Sequence, residues 1–319
     1  VFARGKFVRM IAIVFPGQGS QKPGMGRDLV EARSEAAEVF DRIAEALSLD
    51  VRTLLWESDE ETLRQTQNAQ VALYACGVAA WRVLDASISE ETRGRIAAFA
   101  GHSVGEYAAL AAAGIVDLET GARLVRTRGE LMARSGSVHP GTMAAVLGLD
   151  RAPLDEVCQE AEGVVVVAND NCPGQLVISG EVDAVKRAGE LAQARGAKRV
   201  LPLNVSGAFH SPLMEEPARE MATALAGASF HAGRPVFANV TAGPISDASE
   251  WPSLLEQQLK SPVRWTETVQ ALIAAGIDTF VECGTGEVLG GLVRRTDKSV
   301  KTLAVQDVPS LTAAIEGIA

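Results

Sequence analysis

The chain has 319 residues, 47% of them hydrophobic, enough for one large globular unit or two smaller ones. Its net charge of -10 argues against general nucleic-acid binding, which relies on basic surface to displace counterions from phosphates. Four cysteines (Cys76, Cys158, Cys172, Cys283) contain no CxxC pair and four histidines no HExxH spacing, so no disulfide framework and no metal is expected, and a reducing cytoplasm is the simplest home.

In chain order, Val1 to Arg9 carries three basic side chains ahead of Met10 and superficially resembles a secretory n-region. The apolar stretch that follows, Met10 to Phe15, falls short of the roughly 7 to 15 residues of an export signal. Met10 therefore reads as a natural start preceded by an extension. No run approaches the ~18 apolar residues of a membrane span. Met10 to Phe15 instead suits a central parallel strand, followed by a glycine-rich loop from Pro16 to Gln21. Helical periodicity covers Ala36 to Leu47 and Gln70 to Leu84, and Ile96 to Ala100 is a second strand. A helix runs from Glu106 to Ala113, with Gly114 as its C-terminal stop. Alternating strands and helices indicate an α/β sheet.

From Thr142 to Val205 the rhythm changes. Strands at Thr142 to Leu147, Val164 to Ala168, Gln175 to Ser179 and Arg199 to Asn204 alternate with helices at Ala152 to Ala161 and Val182 to Arg195. This βαββαβ order is that of a ferredoxin-like unit, which predicts a small inserted domain at 138–205 within a larger domain formed by 10–137 and 206–319. Ser211 and Pro212 then read as N-cap and first residue of a helix reaching about Leu225. A helix at Trp265 to Ala275, a short strand at Phe280 to Glu282 and a helix opened by Gly284 to Gly286 complete the pattern.

Between the second strand and its helix, Gly101-His102-Ser103-Val104-Gly105 forms a GxSxG element. Flanking glycines permit a tight strand-to-helix turn that exposes the Ser103 hydroxyl, with the Val104 amide beside it to receive an oxyanion. The plainer reading is a helix start that happens to contain glycine. Arg128 lies on a helix from Asp117 to about Ser135, where at ~100° per residue it falls among Gly121, Leu124, Val125, Leu131 and Met132. A guanidinium on that face must find an anion, either a protein carboxylate or the carboxylate of an acyl substrate. His210, in a loop just before the Pro212 helix, is the best placed of the four histidines to serve as base. His102 would turn its side chain away from Ser103, and His139 and His231 lie in turn-like sequence. Gln18, in the loop after the first strand, can supply a second oxyanion amide or simply belong to a turn. Its spacing matches neither GxxxxGK[ST] nor GxGxxG.

Taken together, FPGQGSQ at 15–21, GHSVGEY at 101–107, Arg128-Gly129, NCPGQ at 171–175, GAFHS at 207–211 and SPVRW at 261–265 resemble the malonyl-CoA:acyl carrier protein transacylases of bacterial fatty acid synthesis. The resemblance covers nearly all of the chain from Met10 onward. It implies an α/β-hydrolase-like larger domain with a ferredoxin-like insert, and transfer of malonyl from malonyl-CoA to the carrier's phosphopantetheine thiol through a malonyl-serine ester. By resemblance, Ser103 is the nucleophile, His210 its base and Arg128 the malonyl carboxylate clamp. Gln18 and Val104 give the oxyanion hole, the Gln258 carbonyl orients His210, and Gln67 and Asn171 line the pocket. Phe209 resembles malonyl-selective members; its bulk leaves little room for a branch at the α-carbon. No cofactor is implied, and the expected partners are malonyl-CoA and an acyl carrier protein, with no nucleic acid, no membrane and a monomeric state. Lys186, Arg187, Lys198 and Arg199, or Arg294, Arg295 and Lys298, are candidates for docking an acidic carrier. Asn68 and Cys283 depart from the family's usual residues in their loops. A serine esterase or thioesterase shares GxSxG, but its usual acid and HGGG-type loop are not evident. A degenerate docking module would not need Ser103, His210 and Arg128 together.

Overall fold

The strand Met10–Phe15 (β1) has apolar side chains on both faces, and they divide by alternation. Ile11, Ile13 and Phe15 enter one apolar layer while Ala12 and Val14 enter the layer on the other side. A strand buried on both faces belongs in the middle of a parallel sheet covered by helices. In the computed structural model, which describes residues 9–138, 140–205 and 207–319, β1 lies between Ile96–Gly101 (β2) and a later strand, parallel to both. The extension up to residue 8, His139 and position 206 at the expected domain boundary lie outside the described residues.

The second sheet is built from Gly141–Leu147 (β3), Val165–Cys172 (β4), Gln175–Glu181 (β5) and Arg199–Pro202 (β6), with helices Arg151–Glu160 and Val182–Ala194 between them. The chain then contributes Val236–Phe237 (β7), Pro244–Ile245 (β8), Val263–Arg264 (β9), Ile277–Cys283 (β10) and Lys301–Val305 (β11). The first sheet has the order β11-β10-β1-β2-β7-β8, parallel except for the β7–β8 pair.

The second sheet has the order β6-β3-β5-β4-β9. Its first four strands pair antiparallel and enclose a separate core that includes Val146, Leu154, Ile178 and Ala188. Two details differ from expectation. β4 continues to Cys172 rather than stopping near Ala168, and its far end gains β9 as a parallel neighbour from outside the 138–205 segment. β6 ends at Pro202 rather than Asn204, with the Leu203 N–H still donating to the Met143 carbonyl at 2.9 Å. The Ser211 hydroxyl caps as expected, accepting from the Leu213 N–H at 3.3 Å, but the chain first makes one 3-10 turn, Pro212–Met214, before the helix Glu215–Ala226. Among the described residues, no helix is long and apolar enough to cross a membrane.

Candidate active site

Where β2 ends, the backbone turns sharply into the helix Gly105–Ala112, and Ser103 occupies the left-handed region at φ 53°. Only a small part of conformational space is open there to a residue with a Cβ, so the turn must be enforced by its surroundings. Both glycines of the motif are sterically required. A Cβ on Gly101 would lie 2.0 Å from the Gly105 carbonyl carbon, and one on Gly105 would lie 2.2 Å from the Phe15 carbonyl oxygen. Gly114 follows the helix at φ 78°, the left-handed stop expected of it.

Every polar atom of Ser103 is directed. Its N–H donates to Asn239 Oδ1 at 2.8 Å, its carbonyl accepts from Gln258 Nε2 at 2.9 Å, and its Oγ lies 2.8 Å from His210 Nε2. The Ser103 amide is thus already committed. By contrast, among the described residues neither the Val104 N–H nor the Gln18 N–H donates a hydrogen bond to the protein.

His210 sits on the loop before the Pro212 turn, itself at φ 57°, anchored by its N–H to the Leu259 carbonyl at 3.0 Å. Its Nδ1 lies 2.8 Å from the Gln258 carbonyl oxygen. A carbonyl can only accept, so the proton resides on Nδ1 and Nε2 presents its lone pair to Ser103. Burial, reinforced by the charge of Arg128, pushes the imidazole down to about 3, so the ring is neutral in the neutral pH range.

Arg128 projects from the helix Leu118–Val138 and is completely buried. Its Nη1 donates to Gln70 Oε1 at 2.7 Å, and its Nη2 to Gln258 Oε1 at 2.9 Å and to Ser103 Oγ at 3.1 Å. Its Nε has no partner, and no carboxylate lies within ion-pair distance among the described residues. The guanidinium is therefore held by neutral oxygens directly behind the serine hydroxyl. Of the two anions open to it, a protein carboxylate is not in contact.

A cavity of about 340 Å³ opens in front of Ser103 between the two sheets, lined by Gln18 and His102 from the first, Met143 and Asn169 from the second, and Phe209 and His210 from the loop. Arg64, paired with Glu60, also lines it; the seven basic residues proposed for docking do not. Ser103, His210, Gln18 and Phe209 thus meet at one place, with Arg128 and Gln258 in the layer behind. Gln67 and Asn171 do not line the cavity. Gln67 Nε2 donates to Gln65 Oε1 at 3.0 Å, and Asn171 Oδ1, two residues beyond Asn169 along β4, lies 2.8 Å from His102 Nε2. Two further site residues, Gln70 and Asn239, escape sequence reasoning. Gln70 is buried in the helix Thr66–Ser87, a polar side chain on an otherwise apolar face, which was a readable signal. Asn239 follows a strand of only two residues and had none.

The acyl transferase domain family matches residues 12–314. The malonyl CoA-acyl carrier protein transacylase of Bacillus subtilis (strain 168) is 41% identical over 311 residues, 96% of this chain and 96% of that protein. Among solved structures, the acyl-carrier-protein-S-malonyltransferase from Bartonella henselae superposes with a TM-score of 0.93 at 42% identity, covering 97% of this chain and 99% of that one. A malonyl-transacylase solved in complex with its type II PKS acyl-carrier protein superposes with a TM-score of 0.91 at 39% identity, covering 97% and 99%. With matches of this extent along nearly its whole length, the chain belongs to the acyl transferase domain family and, within it, to the malonyl CoA-acyl carrier protein transacylases.

Proposed function

We propose that this acyltransferase moves the malonyl group from malonyl-CoA to the phosphopantetheine thiol of an acyl carrier protein, supplying extender units for fatty acid synthesis. The observation that carries this reading is the meeting of Ser103 Oγ with His210 Nε2 at 2.8 Å and Arg128 Nη2 at 3.1 Å at the floor of one cavity. In it, Ser103 Oγ attacks the thioester carbonyl while its proton passes to His210 Nε2, and the oxyanion is received by the unspent N–H groups of Val104 and Gln18. The tetrahedral species collapses, the C–S bond breaks, and the imidazolium returns its proton to the departing CoA thiolate. The carrier's thiol then attacks the malonyl-serine ester by the same steps in reverse.

A malonyl group esterified to Ser103 carries its free carboxylate one methylene beyond the ester carbonyl, within reach of a guanidinium that already touches Oγ. Arginine's planar fork suits such a group. The pairing also bears on the base: a carboxylate docked on Arg128 cancels part of the positive field that depresses His210, so the correct acyl group makes its own base stronger. Phe209 at the cavity wall leaves little space for an α-branch. The same reading takes the larger unit, 10–137 with 206–319, as α/β-hydrolase-like and 138–205 as a ferredoxin-like insert, supported by the parallel order of the first sheet and the βαββαβ order of the second. Arg128→Ala tests it. Rates of serine acylation followed by quenched intact mass should fall on the order of a hundredfold for malonyl-CoA while acetyl-CoA is retained or improved, as loss of a charge-assisted pair demands. Equal loss on both thioesters would reject the clamp.

A further inference from the structure

The mechanism above leaves unused a buried charge that lies beside the site. Glu106 is the only charged side chain in the helix Gly105–Ala112, is 1% exposed, and has no cation within ion-pair distance among the described residues. A carboxylate in such a place is costly unless its hydrogen bonds are met. Its Oε1 accepts from the Asn239 N–H at 2.7 Å and its Oε2 from Gln258 Nε2.

We infer that Glu106 is a positioning residue for the malonyl carboxylate, acting through the side-chain amide of Gln258 to aim Arg128. The inference rests on the malonyl-transfer reading. An ionised carboxylate only accepts and a guanidinium only donates. Placed on either side of Gln258, they leave its amide a single orientation: Nε2 toward Glu106 and the Ser103 carbonyl, Oε1 toward Arg128 Nη2. The flipped amide would set donor against donor at Arg128 and acceptor against acceptor at Glu106. The same carboxylate also fixes Asn239, whose side chain takes the Ser103 N–H and donates to the Gly101 carbonyl at 2.6 Å. Removing the charge alone frees Gln258 to turn over, so Arg128 loses an acceptor and its fork is no longer held at one angle to the substrate.

The test compares Ser103 acylation by malonyl-CoA and acetyl-CoA in Glu106→Gln, which keeps the volume and removes the charge. The malonyl-to-acetyl rate ratio should fall about tenfold or more, the scale on which misplacement of a binding group is felt, with the near-UV circular dichroism unchanged. Equal factors on both thioesters, as general loosening would give, or an unchanged ratio would overturn the inference. A second reading needs no variant. Burial pushes the Glu106 carboxyl up to about 7. The ionisable groups that face it, Arg128 from its own helix and the neighbouring Tyr107, keep their protons throughout this range, Tyr107 being pushed up by burial; His210, behind Gln258, stays neutral. Lowering the pH from about 8 to about 6 protonates Glu106 while a malonyl carboxylate, ordinarily near ~4, remains ionised, so the wild-type ratio should fall with it. A ratio constant across that range contradicts the proposal. If the wild-type enzyme forms no serine-bound malonyl group, the functional reading fails; if it does and the ratio ignores Glu106, this inference alone fails.

Discussion

The elbow that carries Ser103 is held in shape by steric exclusion, whereas the opposite half of the site, from His210 through Asn239 to Gln258, is held by hydrogen bonds. In the elbow the backbones of Gly101, Gly105 and Phe15 approach so closely that no side chain fits between them. In the other half, irregular loops and the helix Trp251–Lys260 are tied to the elbow by the Gln258 side-chain amide and the Asn239 carboxamide, and to each other by the Gln258 carbonyl facing His210 Nδ1. Close backbone approach limits the shapes open to the turn that carries the nucleophile. Hydrogen bonding makes the base and the clamp dependent on each other, because one residue, Gln258, touches His210, Arg128 and Ser103 together.

Substitutions on the two sides should therefore fail in different currencies. The largest effect is expected on the hydrogen-bonded side: His210→Ala should lower acylation by about 10² to 10⁴-fold, the usual worth of a positioned general base, with the unfolding midpoint close to wild type. A large loss of stability accompanying it would show that the loop is a structural strut and erase the contrast. On the steric side, Gly105→Ala places a methyl group 2.2 Å from the Phe15 oxygen. Overpacking of this kind costs about 1–3 kcal/mol, read as a lowered urea midpoint. A Gly105→Ala protein as stable as wild type and fully active would mean that the elbow yields easily and is not fixed by close approach.

The same division explains what could be read from the amino acids. The elbow half is contiguous, and its signal is local: GxSxG between a strand and a helix. Arg128 was legible too, as a lone arginine on an apolar helical face. β1 and β2 were legible as short continuous apolar runs closed by glycine-containing turns, and the βαββαβ order as an alternation of strand-like and helix-like stretches. The other half is assembled from residues far apart in the chain. Gln258 orients His210 through a backbone carbonyl, a group every residue possesses, so nothing in periodicity or spacing distinguishes it; resemblance alone pointed there. β9 is two residues long, too short to show a period, and so its pairing with β4 was unforeseen. Gln67 and Asn171 rested on resemblance alone; neither lines the cavity, Gln67 Nε2 donating to Gln65 Oε1 and Asn171 Oδ1 lying beside His102 Nε2. Glu106 was legible in principle, as a charge at the start of an Ala-rich helix.

The central claim is that the hydroxyl between His210 and Arg128 is the atom that carries the acyl group. Intact mass after mixing the protein with malonyl-CoA measures this directly. The wild-type chain should gain one malonyl group, lose it when holo carrier protein is added, and gain none when Ser103 is replaced by alanine; an adduct that persists in Ser103→Ala, or one that the carrier's thiol cannot discharge, would contradict the account.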